Sequence, residues 1–433
     1  MKITFIIPSW HYFFNPFKLQ PYWEMYYATI LESQFPGAEI TIYDLRNTNK
    51  KNFDEEVQKI PEADFYLYWI MKSGDAIELY SVSKSLKVKF PKSKHIAGGT
   101  HIDMLPNESE LVFDKIVIGP GEKSFMNAIN EKNLDNKRYL SDYKDYPFKD
   151  TPFPKRDFLP EKSVINNQMF EKYGSPKATM VYFSRGCFYR CSYCVYNVPN
   201  SLQVKSKERM LEEINYLKET YGVEAILLKD EIAINPKKEL FQNQMDAIGQ
   251  SNIIWRGQTT SIATLDQLKL AKDTGCVELS VGVETIDEGV MKIINKQWQN
   301  QNTIRTFVEN ARKAGIKIKV CLIFGLPGEP RDIVEKTIKF LDSIHPDYVS
   351  LSGFCPLPGS PIYKKPELYS IKKIDNDWSK HAHLLYRFSD EEEVGIPFEY
   401  KENASWGKAF SRKEIRENII RTQRWLEDKK MTY

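Results

Sequence analysis

The stretch Thr179-Met-Val-Tyr-Phe-Ser-Arg-Gly-Cys187-Phe-Tyr-Arg-Cys191-Ser-Tyr-Cys194 decides how the rest of the chain is read. Its first five residues, Thr179–Phe183, are β-branched, apolar or aromatic and predict a buried strand. That strand runs into a loop with three cysteines, Cys187, Cys191 and Cys194, while Cys276, Cys321 and Cys355 are scattered singly. Three thiolates on one loop point to a metal or iron–sulfur site. Structural zinc is the rival reading, but zinc takes four N or S ligands, commonly from CxxC pairs. Here a second pair and a nearby histidine are both missing from the sequence. A [4Fe–4S] cube needs one ligand per iron, so three cysteines leave one iron open to something else.

Working outward, the strand at 179–183 is the first of six. Strand signals follow at 225–228, 253–256, 277–283, 317–324 and 348–354, separated by helical patterns at 207–221, 237–250, 265–274, 302–314 and 331–344. Such βα units predict a partial (β/α)6 barrel, with its active site at the carboxyl ends of the strands. The cysteine loop lies on that face. Upstream, strands at 3–8, 39–43, 65–70, 94–97 and 115–118 alternate with helices at 22–33, 53–60, 76–90 and 121–130, the rhythm of a doubly wound parallel sheet. Ligands of such sheets lie beyond the strand carboxyl ends. Those ends carry His11, Gly98-Gly99-Thr-His101 and Gly119-Pro-Gly121, whose glycines would admit a bulky ligand close to the backbone. The domains expected are therefore 1–135, a proline-rich linker at 136–176, the barrel at 177–365 and a C-terminal extension at 366–433 that reads as a small α-rich cap.

Composition narrows the function. In 433 residues, Lys plus Arg exceed Asp plus Glu by only three, so a dedicated nucleic-acid binder is not expected. No apolar run approaches the roughly 18–20 residues of a membrane span. Cysteines grouped in one loop do not form a disulfide framework, which favours a reducing cytoplasm.

On these residues the chain resembles the radical S-adenosylmethionine (SAM) superfamily, whose signature Cys-x3-Cys-x-aromatic-Cys is met by Cys187, Cys191, Tyr193 and Cys194. It is similar, more narrowly, to the class with an N-terminal cobalamin-binding domain of Rossmann-like fold. The supporting motifs run in order: Leu228-Lys-Asp-Glu231, Trp255-Arg-Gly-Gln-Thr259, Val281-Gly-Val-Glu284, Phe324-Gly-Leu-Pro-Gly-Glu329 and Pro356-Leu-Pro-Gly-Ser-Pro-Ile-Tyr363.

The resemblance implies a [4Fe–4S] cluster on the three cysteines, with SAM chelating the open iron and being cleaved by one electron to methionine and a 5′-deoxyadenosyl radical. It assigns SAM contacts to Tyr193, Glu284, Gly325 and Phe354, and polar or proton-accepting roles at the substrate to Asp230 and Glu231. For a cobalamin cofactor it points to His11, Gly98, Gly99, His101, Gly119 and Gly121. It also implies an organic substrate and an external flavodoxin- or ferredoxin-type electron donor. The reaction implied is cobalamin-dependent methylation of an unactivated carbon. Radical cyclisation, rearrangement or oxidation without methyl transfer is the alternative, and an iron–sulfur electron-transfer or scaffold protein is the non-enzyme one.

One departure stands out: Ser9-Trp-His-Tyr-Phe-Phe-Asn15 lacks the Asp-x-His-x-x-Gly of domains that donate a histidine to cobalt. Plainer readings also remain open. His11 and His101 can be packed histidines, Asp230 and Glu231 can cap a turn, and Cys355 can be a small core residue. The aromatics between Trp10 and Phe17, with Tyr22, Trp23, Tyr26 and Tyr27, can flank a corrin or fill an interior.

Overall fold

The computed structural model describes residues 1–13, 15–131, 135–195, 202–381 and 395–432. They form two compact units. Unit 1 comprises residues 1–168 and a short return segment from Asp377; unit 2 takes Met169–Asn376 and the described residues after 394.

Unit 1 is built on six parallel strands: β1 (Lys2–Ile7), β2 (Glu39–Asp44), β3 (Phe65–Trp69), β4 (Lys94–Gly98), β5 (Lys115–Ile118) and β6 (Arg138–Leu140), in the order β2-β1-β3-β4-β5-β6. Helices α1 (Tyr22–Gln34), α2 (Phe53–Lys59), α3 (Ala76–Lys89) and α4 (Gly121–Asn130) connect them. Parallel strands covered on both faces are apolar throughout rather than alternating. Ile3, Phe5, Ile6 and Ile7 of β1 are accordingly fully buried, and so are Tyr66, Leu67 and Tyr68 of β3. The aromatic residues of α1 fill this interior: Tyr27 meets Trp69 at 4.4 Å and Phe125 at 5.4 Å between ring centroids.

Strand β6 falls inside the span read from sequence as a linker. It has three residues, of which only Tyr139 is buried, too few to show a period. The residues after it are also packed, with Phe148, Arg156 and Val164 almost wholly inside.

Unit 2 carries β7 (Ala178–Val181), β8 (Ala225–Leu228), β9 (Ile254–Thr259), β10 (Cys276–Glu284), β11 (Lys317–Phe324) and β12 (Tyr348–Gly353). They are parallel and follow one another across the sheet in chain order, the topology of a partial barrel. Between them run α5 (Lys207–Tyr221), α6 (Lys238–Gln250), α7 (Leu265–Asp273), α8 (Gln301–Ala314) and α9 (Ile333–Ile344). Their ends follow local chemistry: Ser206, Thr264 and Asn300 cap the first turns of α5, α7 and α8, and left-handed Gly222 and Gly315 close α5 and α8.

Along β10, Leu279, Val281 and Val283 are fully buried whereas Ser280, Gly282 and Glu284 are partly exposed. One face of the strand is therefore fully packed, and the other stays partly open to solvent. Met169, Phe170, Ala178, Met180 and Ala225 form an apolar cluster at the amino-terminal end of the strands. Beside it lies a buried ion pair, Arg256 to Glu278 at 2.6 Å. Tyr173 donates to Glu278 Oε2 at 2.7 Å, and Arg256 donates to the Met169 carbonyl at 2.7 Å.

After the barrel, β13 (Ile371–Ile374) pairs antiparallel with β14 (Phe398–Tyr400), and α10 (Arg412–Asp428) packs Ile415, Ile419 and Leu426 inward against β12 and α9. The described part of the C-terminal extension thus mixes short strands with its long helix, while 382–394 lie outside the described residues.

Removing one partner of a buried ion pair strands the other charge. Arg256→Leu should therefore cost about 3–5 kcal/mol, seen as a lowered urea midpoint, and adding Glu278→Leu should restore most of it. A double variant no more stable than the single one would contradict this account of the barrel base.

Candidate active site

The cysteine loop leaves β7 through Ser184–Arg185, which pairs antiparallel with Gln203–Val204. Several groups hold it in place. Ser192 N–H donates to the Ile294 carbonyl at 2.9 Å, Ile362 N–H donates to the Ser192 carbonyl at 3.0 Å, and Asn295 Nδ2 donates to the Arg190 carbonyl at 2.7 Å. Tyr189 stacks on Trp298 with ring centroids 4.1 Å apart. Cys191 is buried, and Cys187 and Cys194 are half-buried. Burial pushes the Cys187 and Cys191 thiols up, against the lowering pull of the Tyr189 N–H at Cys187 and of Lys296 at Cys191. A bound cation would have to displace these protons, so its binding would release them. Among the described residues, no three His, Cys, Asp or Glu side chains are yet gathered into a metal cage.

Beside Cys191 stand three polar side chains. Lys296 Nζ lies 3.0 Å from Glu284 Oε1, donates to the Gly282 carbonyl at 2.7 Å and reaches Tyr193 OH at 3.5 Å. Glu284 ends β10 in a left-handed conformation, φ 66°, and the strand register shifts between Gly282 and Glu284. A left-handed non-glycine residue costs about 1–2 kcal/mol, and bulges near active sites re-aim side chains. Gly282 leaves room for this, because a Cβ there would meet Glu284 Oε1 at 2.5 Å. The Tyr193 phenol is raised well above its ordinary range, first by burial and then by Glu284.

Asp230 and Glu231 follow β8. Asp230 Oδ1 accepts from the backbone N–H groups of Phe183 and Ser184 at 2.8 and 3.0 Å, fixing the chain as it enters the cysteine loop. Burial raises Asp230 to about 7 and Glu231 to about 8. Asp230 Oδ2 and Glu231 Oε2 are buried without a hydrogen-bond partner among the described residues. Gly325 and Phe354 directly follow β11 and β12. Glu329 accepts from the Gly325 and Leu326 N–H groups at 2.9 and 3.1 Å, and burial raises its carboxyl to about 8.

In unit 1 the named residues are differently employed. His101 is buried, its Nε2 paired with Tyr80 OH and its Nδ1 with Ser73 Oγ, each at 2.9 Å. His11 Nε2 meets the carbonyl and the hydroxyl of Thr48, both at 3.1 Å. The space that four glycines leave is taken by the chain itself. A Cβ on Gly98 would meet the Trp69 ring at 2.8 Å, on Gly99 the Ile70 backbone at 2.7 Å, on Gly119 the Ser141 carbonyl at 2.2 Å and on Gly121 the Tyr27 ring at 2.7 Å.

Residues 181–341 match the Radical SAM superfamily. This segment is a radical SAM domain. The chain is 25% identical over 382 residues to an uncharacterized methyltransferase of Pyrococcus horikoshii, covering 80% of this chain and 76% of that protein. It is 24% identical over 343 residues to the bacteriochlorophyllide d C-8(2)-methyltransferase of Chlorobaculum tepidum, covering 76% and 73%. In fold it is similar to the radical SAM methyltransferase TsrM of Kitasatospora setae, solved with cobalamin and a [4Fe–4S] cluster. The TM-score is 0.65 at 15% identity, over 83% of this chain and 76% of that one.

Within the radical SAM domain, the sequence reading missed Lys296 and Glu329. Lys296 sits in Ile293-Ile-Asn-Lys-Gln-Trp298, where an apolar and aromatic setting for a lysine was the available signal. Glu329 closes the quoted motif Phe324–Glu329, but its backbone partners are visible only in three dimensions. Among the described residues no helix is long and apolar enough to cross a membrane.

Burial lowers both His95 and His101 from 6.5 to about 4. The unfolded chain therefore binds these protons more readily than the folded one. Their stabilisation is full above pH 6.5 and is lost as pH falls toward 4, by up to about 3 kcal/mol per histidine. The raised buried carboxyls act in the opposite direction, so the histidine part is read as a difference: in urea unfolding, wild type should lose stability relative to a His95→Gln/His101→Gln variant between pH 7.5 and pH 5. An unaltered pH slope in that variant would be the contrary result.

Proposed function

We propose that the chain is an enzyme that cleaves SAM at a [4Fe–4S] cluster held by Cys187, Cys191 and Cys194, and directs the radical to cobalamin-dependent methylation of an unactivated carbon. The observation that carries the first part is the placing of the Tyr193–Lys296–Glu284 group directly beside Cys191. Soft thiols on one loop, partly shielded from water, fit an iron–sulfur cube with one open iron. Bound there, the cluster supplies a chelating site for the amino-acid end of SAM and the electron that breaks its sulfonium bond.

The chain's own groups orient the reactant. Glu284 presents a carboxylate to the ammonium or ribose hydroxyls of SAM, and Lys296 presents the complementary charge to its carboxylate. Tyr193 backs both from the cysteine loop. The unpaired carboxyl oxygens of Asp230 and Glu231 await donors; at pKa values near neutrality Glu231 can hold or accept a proton, while Asp230 positions the strand end.

Methylation is supported by relatives that are themselves methyltransferases and by the cobalamin recorded in TsrM. Both ring nitrogens of His101 are engaged, with Tyr80 and Ser73, and His11 Nε2 is engaged with Thr48, so neither presents a free Nε2 to a cobalt. The Cβ space of Gly98, Gly99, Gly119 and Gly121 is filled by the chain's own atoms, so these glycines serve the packing of unit 1. A reducing cytoplasm and an external flavodoxin- or ferredoxin-type reductant belong to the same reading.

The test is anaerobic protein loaded with iron, sulfide and cobalamin, reduced and given SAM. Methionine and 5′-deoxyadenosine should form, and each Cys→Ala variant should abolish both. Glu284→Gln should weaken SAM binding roughly tenfold or more, the worth of a hydrogen bond to a charged group. A corrin absorption band and a methylated product support the methylation; 5′-deoxyadenosine without either favours cyclisation, rearrangement or oxidation. Bound zinc in place of iron and sulfide, or a reduced cluster whose EPR spectrum ignores SAM, defeats the proposal.

A further inference from the structure

The C-terminal extension reaches two positions assigned to the adenosine side of SAM. Tyr400, in β14, donates its hydroxyl to the Gly325 carbonyl at 2.8 Å. The Gly325 N–H is already taken by Glu329 at 2.9 Å, so both polar groups of this residue are held by buried or half-buried side chains. Gly325 is left-handed, φ 90°, and a Cβ on it would meet Ile415 Cγ2 at 2.9 Å, which brings α10 against the same residue. Phe354 packs edge-on against Phe398 at 5.0 Å, and Phe398 in turn meets Tyr400 at 4.9 Å. One strand and one helix, both from beyond the barrel, thus hold the ends of β11 and β12.

We propose that the segment Phe398–Ile415 is part of the SAM site, with Tyr400 as a positioning residue that sets the Gly325 peptide and Phe398 as the support that sets Phe354. The physical reason is the loop itself. A glycine peptide in a left-handed turn has many accessible conformations, and ordering it on ligand binding costs affinity. Fixing its carbonyl beforehand removes that cost. The tail therefore completes the cofactor face of the barrel instead of only covering its edge. This inference rests on the assignment of Gly325 and Phe354 to SAM made above.

Tyr400→Phe removes one hydroxyl and keeps the ring. With cluster-loaded, reduced full-length protein, SAM affinity is read from EPR titration, and KM and kcat from SAM cleavage. Tyr400→Phe should weaken binding about threefold to tenfold, the range for one neutral hydrogen bond. KM should rise in step while kcat and cluster content stay near wild type. Phe398→Leu should act in the same direction, and Leu368→Ala, at an exposed position of the same extension, should change nothing. A role confined to stability would lower the melting temperature and leave the affinity of the folded protein unchanged; that outcome overturns the inference. Wild-type protein that holds its cluster but binds no SAM overturns the underlying reading as well. Wild-type binding with an unaltered Tyr400→Phe overturns this inference alone.

Discussion

Buried carboxyl groups that accept backbone N–H bonds hold the active face of the barrel together. A strand that ends at a ligand site leaves peptide N–H groups with no further strand to pair with, and such groups must find partners. Asp230 satisfies Phe183 and Ser184 where β7 becomes the cysteine loop, and Glu329 satisfies Gly325 and Leu326 where β11 ends. The same device thus fixes an early and a late strand of the sheet. In both cases burial raises the carboxyl's pKa, to about 7 for Asp230 and about 8 for Glu329, so each takes up a proton near neutral pH.

Between these anchors, polarity changes along each strand. The base is apolar and sealed by the Arg256–Glu278 pair, whose charges cancel within it. The upper interior is lined by partly exposed Ser280, Gly282 and Glu284 on β10, with Lys296 leaning in from the following loop. This face sets opposite charges, Glu284 and Lys296, side by side. The strained turn at Glu284 is consistent with that use, since backbone strain of this sort persists where the surroundings over-determine it.

Unit 1 teaches a different lesson about glycine. Gly98, Gly99, Gly119 and Gly121 lie at strand ends where a ligand would come close, yet each one's open space is filled by the chain's own atoms. Gly98 and Gly121 make way for aromatic rings, Trp69 and Tyr27, that belong to the core of the unit. His101 likewise is a core residue bonded to Tyr80 and Ser73. A glycine or histidine at a strand end is therefore an ambiguous sign until its neighbours are known.

Eleven of the twelve described strands of the two parallel sheets and the long helices were legible in the sequence, because parallel strands buried on both sides are apolar runs and the helices between them carry their own caps. The three-cysteine loop was legible because its chemistry is local: ligand spacing within eight residues needs no tertiary knowledge. Strand β6 was not, since three residues carry no period. Lys296 and Tyr400 were not, because what matters in each is a partner twelve or seventy-five residues away. The sequence by itself determined two parallel α/β units and a thiol loop at a strand end. Only the tertiary structure decided which carboxyl groups brace that loop, which glycines are spoken for, and that the C-terminal strand and helix close on Gly325, since those facts depend on which distant side chains meet in space.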